Sequence, residues 1–317
     1  MSTPWRSLRE FDSPALLRRL ALASVIANVG IVISGGAVRL TGSGLGCPTW
    51  PQCTEASYVP THAMGGHGVV EFTNRTLTFV LAIIAIAAFV AALRQRPRRR
   101  RVVRLSVLAG LGIPAQAVIG GLTVLTQLNP WVVGLHFLAS TAVLAATYAF
   151  WRSTTESDER PVVTVNRPLW MLVRLLVVAC LAVLVAGAIT TGSGPHAGDE
   201  KAKRTGLDPE SIAQAHTDLV MLFLGLVVAT WLALRAAGAL HAANRAALLL
   251  GVSLAQGLIG FVQYFTHLPI VLVSLHMAGS SAVWLATLAL VWAIRVRPGP
   301  GATPSRDRTK APVGATA

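Results

Sequence analysis

Three histidines and one glutamate stand where side chains of their kind are costly. His136 and His276 lie inside apolar runs, about six or seven residues from the start, which at ~1.5 Å per residue is roughly 10 Å of helix. His216 lies at a similar depth in a third run, and Glu71 in a fourth. An ionisable group inside a membrane is a functional candidate by default. For the histidines the plainer reading is a ring hydrogen-bonded to a neighbouring helix.

The histidines recur with their surroundings. Leu135-His136-Phe137-Leu138-Ala139-Ser140-Thr141 is echoed by Leu275-His276-Met277-Ala278-Gly279-Ser280-Ser281. Upstream, Ala115-Gln116-Ala117-Val118-Ile119-Gly120 is echoed by Ala255-Gln256-Gly257-Leu258-Ile259-Gly260. Both pairs of segments stand 140 residues apart. An earlier pair, Gly36-Ala37-Val38-Arg39-Leu40-Thr41-Gly42-Ser43-Gly44 and Gly187-Ala188-Ile189-Thr190-Thr191-Gly192-Ser193-Gly194, completes an internal repeat. His216 and His276 belong to the same copy, on helices running the same way. They can face each other across a four-helix bundle at one level. Two neutral imidazoles on opposite sides of a plane are what six-coordinate haem requires. No nearby cysteine or carboxylate cluster suggests zinc instead.

The first copy departs from the second at two positions. Asn74 stands opposite His216, so His136 has no histidine partner at the matched place. Glu71, one helical turn before Asn74 and on the same face, has Ala213 as its counterpart. The second copy therefore reads as holding a permanent cofactor and the first as the reaction site. The alternative for Glu71 is a structural ion pair with Arg75 or Arg39. His67 shares the face of Glu71 and Asn74 and could be a ligand or proton carrier; as a residue at the water boundary it also reads as a solvated loop-end histidine. Arg39 and Arg75 are candidates to meet haem propionates. His62, His196, His241 and His267 lie in loops or at helix ends and are assigned no role. The Gly-rich stretch Leu40–Gly46 lacks the ending and context of a phosphate loop.

The elements that carry these residues are membrane helices. The chain has 317 residues, 53% hydrophobic and 13% charged, against about a quarter charged in soluble domains. Apolar spans are expected at 17–38, 67–93, 105–126, 131–151, 169–190, 211–234, 246–265 and 269–294. Only helices or closed barrels satisfy the backbone in lipid. The predicted fold is an all-α integral membrane protein, its eight transmembrane helices forming two tandem four-helix bundles. Each copy has an even number of spans, so the bundles are related by a pseudo-two-fold axis along the membrane normal. The expected division is 1–16 cytoplasmic segment, 17–151 N-terminal bundle, 152–168 cytoplasmic linker, 169–294 C-terminal bundle, and 295–317 disordered cytoplasmic tail. No cleavable signal peptide is expected, because a charged segment precedes a first run long enough to span.

With the N-terminus inside, 21 Lys and Arg fall in cytoplasmic segments and only Arg39, Lys201, Lys203 and Arg204 in outer ones. This asymmetry puts both termini in the cytoplasm. It also accounts for the net charge of +14; nucleic acid is excluded as a partner, since no aromatic residues interleave the arginines. Cys47 and Cys53 then lie in an outer loop, where a disulfide is favoured over two free thiols or a metal pair.

These residues resemble the haem A synthase family, membrane enzymes of cytochrome oxidase assembly. The resemblance covers roughly residues 17–294. It rests on Gly-Gly-Ala-Val-Arg39-Leu-Thr-Gly-Ser-Gly-Leu-Gly, Cys47 and Cys53, Glu71-Phe-Thr-Asn74-Arg75, Leu135-His136, His216 and Leu275-His276. It implies an oxidoreductase of a bacterial-type plasma membrane that oxidises the C8 methyl of haem O to the formyl group of haem A. A haem b on His216 and His276 would carry electrons, and haem O would sit near His136. Glu71 would act as base or stabilise a cationic intermediate, with oxygen taken from water. The outer cysteines would match a disulfide of one branch. The family pattern Glu-x-x-His-Arg appears here as Glu71-x-x-Asn74-Arg75. An amide is a poor iron ligand, so substrate iron would be five-coordinate on His136, or served by His67. Candidate partners are the prenyltransferase that produces haem O, membrane lipid and further copies of the chain. The competing readings are a bis-His b-type electron-transfer cytochrome and a haem transporter or assembly factor.

Overall fold

A computed structural model of the chain describes residues 13–298. Eight long helices follow one another: α1 Pro14–Leu40, α2 Gly65–Arg94, α3 Arg100–Leu125, α4 Pro130–Ser153, α5 Arg167–Ser193, α6 Pro209–Ala236, α7 Leu240–Phe265 and α8 Ile270–Ala293. Each coincides with one expected span. Most run a few residues further, because a helix need not stop where its apolar stretch does. Their 24 to 30 residues correspond to about 36–45 Å, enough to cross a hydrocarbon layer of about 30 Å. All eight are long and apolar enough to cross a membrane. Their outer faces carry Phe79, Ile83, Leu111, Leu258 and Phe265, all more than half exposed, as lipid-facing side chains must be. The chain is a multi-pass membrane protein.

The helix starts are written in the sequence. Pro opens α1, α4 and α6, where its missing N–H costs nothing. Asn129, Asn166 and Asp208 cap α4, α5 and α6 through their side chains. Hydrogen bonds from Ser211 hold the Asp208 carboxyl below the usual carboxylate range.

Contacts run α1–α2, α2–α3, α3–α4 and back from α4 to α1. They run likewise α5–α6, α6–α7, α7–α8 and α8 to α5. The two rings of four meet where α1 and α4 face α8 and where α4 faces α5. At that seam the Trp284 indole donates to the Thr141 carbonyl at 2.9 Å, and Met277 lies against Gly36. One turn geometry occurs twice. Gln127 and Leu128, between α3 and α4, have positive φ, and so do His267 and Leu268, between α7 and α8. In both turns a threonine hydroxyl (Thr126, Thr266) donates one turn back, and the leucine N–H bonds the carbonyl five residues earlier. The two turns stand at the spacing that separates His136 from His276.

At the arginine-rich end, the α4–α5 linker is ordered. Val162–Val163 (β1) pairs antiparallel with Arg295–Val296 (β2). Arg295 and Val296 were expected in a disordered tail; the ladder with the linker holds them instead. Glu156 of the linker is shared by Arg101, Arg152 and Arg297, and Asp158 pairs with Arg99. Residues 1–12 and 299–317, which include the rest of the expected tail and most of the N-terminal segment, lie outside the described residues.

Helices in lipid gain little from burying apolar surface, so close backbone approach matters more. A Cβ on Gly112 of α3 would lie 2.8 Å from the Val143 side chain of α4. Gly112→Leu should lower thermal stability in detergent by about 1–3 kcal/mol through overpacking. Gly110→Ala, whose nearest neighbour would be 3.9 Å away, should be neutral or stabilising by up to about 1 kcal/mol. Melting of the two purified variants checks the pair.

Candidate functional site

The three histidines share one local arrangement. His136 is on α4, His216 on α6 and His276 on α8. Each ring rests against a glycine of the preceding helix. A Cβ on Gly120 would meet His136 Cε1 at 3.3 Å, one on Gly187 would meet His216 Cε1 at 3.2 Å, and one on Gly260 would meet His276 Cε1 at 3.1 Å. The glycines leave a slot one ring thick. The Nδ1 atom of all three rings is buried and has no hydrogen-bond partner. Unsatisfied buried polar atoms are rare in folded proteins; the same gap recurs at His136 and His276, which are matched in the repeat, and again at His216, whose matched residue is Asn74.

His216 and His276 lie within electrostatic range of one another. They come from helices on opposite sides of the α5–α8 ring. Gln256, on α7, donates to the backbone carbonyl of His276 at 2.5 Å. In the first ring, Ser140 bonds Gln116 at 3.0 Å. Among the described residues, no three His, Cys, Asp or Glu side chains gather as a cage for a bare metal ion. Two opposed imidazoles suit an iron that brings its own equatorial nitrogens.

Across the first ring, α2 presents Asn74 where α6 presents His216. The Asn74 side-chain oxygen accepts a hydrogen bond from Ser34 at 2.6 Å. The amide is thereby engaged with α1.

Glu71 and Arg75 form a different kind of cluster. Cys47 and Cys53 are joined in a disulfide, and the loop they close wraps one guanidinium. Arg75 donates to the carbonyls of Cys47 at 2.9 Å, Thr49 at 3.0 Å and Gln52 at 3.2 Å. It also pairs with Glu71 at 2.6 Å. Glu71 is 5% exposed, and its other oxygen accepts the Cys47 N–H at 2.5 Å. Both carboxylate oxygens and most of the guanidinium are therefore engaged. Of the two ion-pair partners open to Glu71, the one it takes is Arg75. Trp50, from the same loop, packs over Gly121, next to the glycine that seats His136. The loop thus roofs the first ring.

The remaining candidates go elsewhere. Arg39 leaves the first half: its Nε donates to the His196 carbonyl at 2.7 Å and its Nη2 to the Thr191 carbonyl at 2.9 Å. His67 is exposed and bonded through Nδ1 to the Ser43 hydroxyl at 3.0 Å. Gly120, Gly187 and Gly260 as ring seats, and Ser34 as the partner of Asn74, are not identified as site residues from sequence. The signal for the glycines was present, since each belongs to a repeated motif. Ser34 left no trace in the repeat.

Comparison with known proteins agrees with the part of the chain that carries Glu71, Asn74, Arg75 and His136. The family described as "Cytochrome oxidase assembly protein" (COX15-CtaA) matches residues 18–198. Similar curated relatives include proteins named heme A synthase. That of Lysinibacillus sphaericus is 31% identical over 145 residues, 45% of this chain and 47% of the relative. That of Staphylococcus epidermidis is 24% identical over 178 residues, 55% and 58% of the two chains. That of Geobacillus kaustophilus is 32% identical over 106 residues, 33% and 32%. The chain spans about half the length, or less, of the curated relatives it matches. The family match nonetheless takes in more than half of this chain, from α1 through α5 into the following loop, and the chain belongs to the cytochrome oxidase assembly protein family.

Proposed function

We propose that the protein is a haem A synthase, converting the C8 methyl of haem O to a formyl group. The observation that carries this reading is the pairing of two unequal halves. One offers two opposed histidines, His216 and His276, with unpartnered Nδ1 atoms. The other offers one such histidine, His136, beneath a roof that holds a buried carboxylate. The names of the matched relatives agree with it. In this reading residues 169–294 form the cofactor bundle and 17–151 the substrate bundle, related by a pseudo-two-fold axis along the membrane normal. Both termini are cytoplasmic in a plasma membrane, as the 21-to-4 distribution of Lys and Arg supports.

His216 and His276 would hold a haem b, which would pass on, one at a time, the four electrons released as the methyl and water become a formyl group, to an external electron acceptor. Gly187 and Gly260, having no side chains, let their rings lie close against the neighbouring helices. His136, seated on Gly120, would ligate the substrate iron from one side. Asn74 opposite is a weak ligand and is bound to Ser34, which leaves that face of the substrate open. Glu71 is assigned the acid–base role in adding water-derived oxygen. It enters that role from an ion pair, so Arg75 must loosen as Glu71 takes up a proton. The prenyltransferase that makes haem O is the natural upstream partner in this reading, and lipid surrounds the whole.

Purified protein should show the absorption spectrum of a low-spin b-type haem, with haem O or haem A recovered on extraction. His276→Ala, and Gly260→Val by crowding the ring, should abolish the low-spin signal. Protein purified without haem of any kind would overturn the assignment.

Glu71→Gln separates chemistry from support of the roof. The amide keeps the size of the side chain, and Arg75 keeps its three loop carbonyls. If Glu71 moves a proton, haem A formation should fall about 10²- to 10⁴-fold, with haem b content and melting temperature unchanged. Haem A formed at the normal rate would remove the acid–base role. Equal losses of turnover and stability would make Glu71 a loop anchor only.

A further inference from the structure

The arginine-rich end of the molecule contains charges that the fold does not compensate. Arg100 and Arg104 stand one turn apart at the start of α3 and have no carboxylate within ion-pair distance among the described residues. Like charges at this spacing repel. They also sit at the positive end of the helix dipole, the wrong end for cations. No side chain caps α3, and its first turn contains no acidic residue. Arg101 has Glu156 and Arg99 has Asp158, but Arg100 and Arg104 have neither.

Both open onto one pocket of about 600 Å³, lined also by Trp292 and Arg295 at the end of α8 and by Arg101 and Asp158; Asp158 is already paired with Arg99, and Arg101 with Glu156. Arg295 lies flat on the Trp292 ring, 3.8 Å from its centre. Its Nε is buried and has no hydrogen-bond partner, and neither does the Trp292 Nε1. Burial lowers the proton affinity of Arg295, and the one attractive charge, Glu156, is opposed by Arg297, Arg101 and Arg152. The pocket is not wholly polar: Leu105 and Ala149 supply an apolar wall on the membrane side. It therefore presents the Arg100 and Arg104 cations with an aliphatic surface beside them.

We propose that this pocket, between the ends of α3, α4 and α8, binds the phosphate-bearing headgroup of an anionic glycerophospholipid, with Arg100, Arg104 and Arg295 as its cationic contacts. Basic pockets between membrane helices at the cytoplasmic boundary take such headgroups. The apolar wall distinguishes a lipid from free phosphate, since only a lipid brings chains to cover it. A topology signal alone would account for arginines in this segment. It would not account for a shared pocket with buried unpartnered donors.

Native mass spectrometry of the full chain in mild detergent tests the proposal, with phosphatidylglycerol and phosphatidylcholine supplied in equal amounts. Phosphatidylglycerol should be retained in preference. Arg100→Gln and Arg104→Gln should each weaken its retention about fivefold, while Arg104→Lys keeps most of it. Arg235→Gln, in the last turn of α6 and away from this pocket, should leave retention unchanged. Equal retention of the two lipids would overturn the proposal, as would an equal loss with Arg235→Gln. Displacement of phosphatidylglycerol by inorganic phosphate would identify a free-anion site and also overturn it.

Discussion

Hydrocarbon offers no partner to a polar atom, so every polar atom placed at membrane depth must be satisfied by the protein or by something the protein holds. Most of this chain obeys by local means. Serine and threonine hydroxyls in the spans bond carbonyls three or four residues back. Asn28 does the same with its amide. Among the exceptions are the Nδ1 atoms of His136, His216 and His276, with Ser253 Oγ and Gln263 Oε1 of α7. The match of His136 with His276 in the repeat makes coincidence a poor explanation for that pair.

The two halves meet the same constraint with different chemistry. In the second ring two histidines, His216 and His276, come from facing helices, and the backbone at His276 is braced by Gln256. In the first ring the place of one histidine is taken by an asparagine already bonded to α1. The freedom that follows is guarded from above. Arg75 gathers three loop carbonyls and one carboxylate around a single guanidinium, a role that arginine's planar fork of donors suits and lysine's point charge does not. On the function proposed above, the first ring would admit and release a planar substrate beneath that roof, and the second would keep its cofactor.

Much of this was legible in the sequence because membrane helices are long and uniform. The eight spans, the pairing of Gln116 with Gln256 and His136 with His276, and the Cys47–Cys53 disulfide follow from hydropathy, spacing and charge. The departures at Asn74 and Glu71 were visible for the same reason. What spacing did not convey was direction. Arg39 sits in the first half yet bonds carbonyls of the second, because a long side chain at a helix end can reach across a seam that sequence does not mark. Arg75 was expected to meet an anion of the substrate and instead closes a loop of its own chain. The strand at Arg295–Val296 escaped notice because its partner lies in the α4–α5 linker, and two residues are too few to show a period. The family match ends before His216 and His276, so for those two residues the internal repeat is the stronger guide.

The reach of Arg39 has a consequence for how the protein is made. Its acceptors, at Thr191 and His196, lie 152 and 157 residues further along the chain. When α1 enters the membrane, the carbonyls that will receive this guanidinium have not been synthesised. Until α5 has emerged, water or lipid headgroups must serve in their place. The Arg39 end of the first half thus matures late, on arrival of the second, and the two halves are one assembly unit despite their repeated sequence.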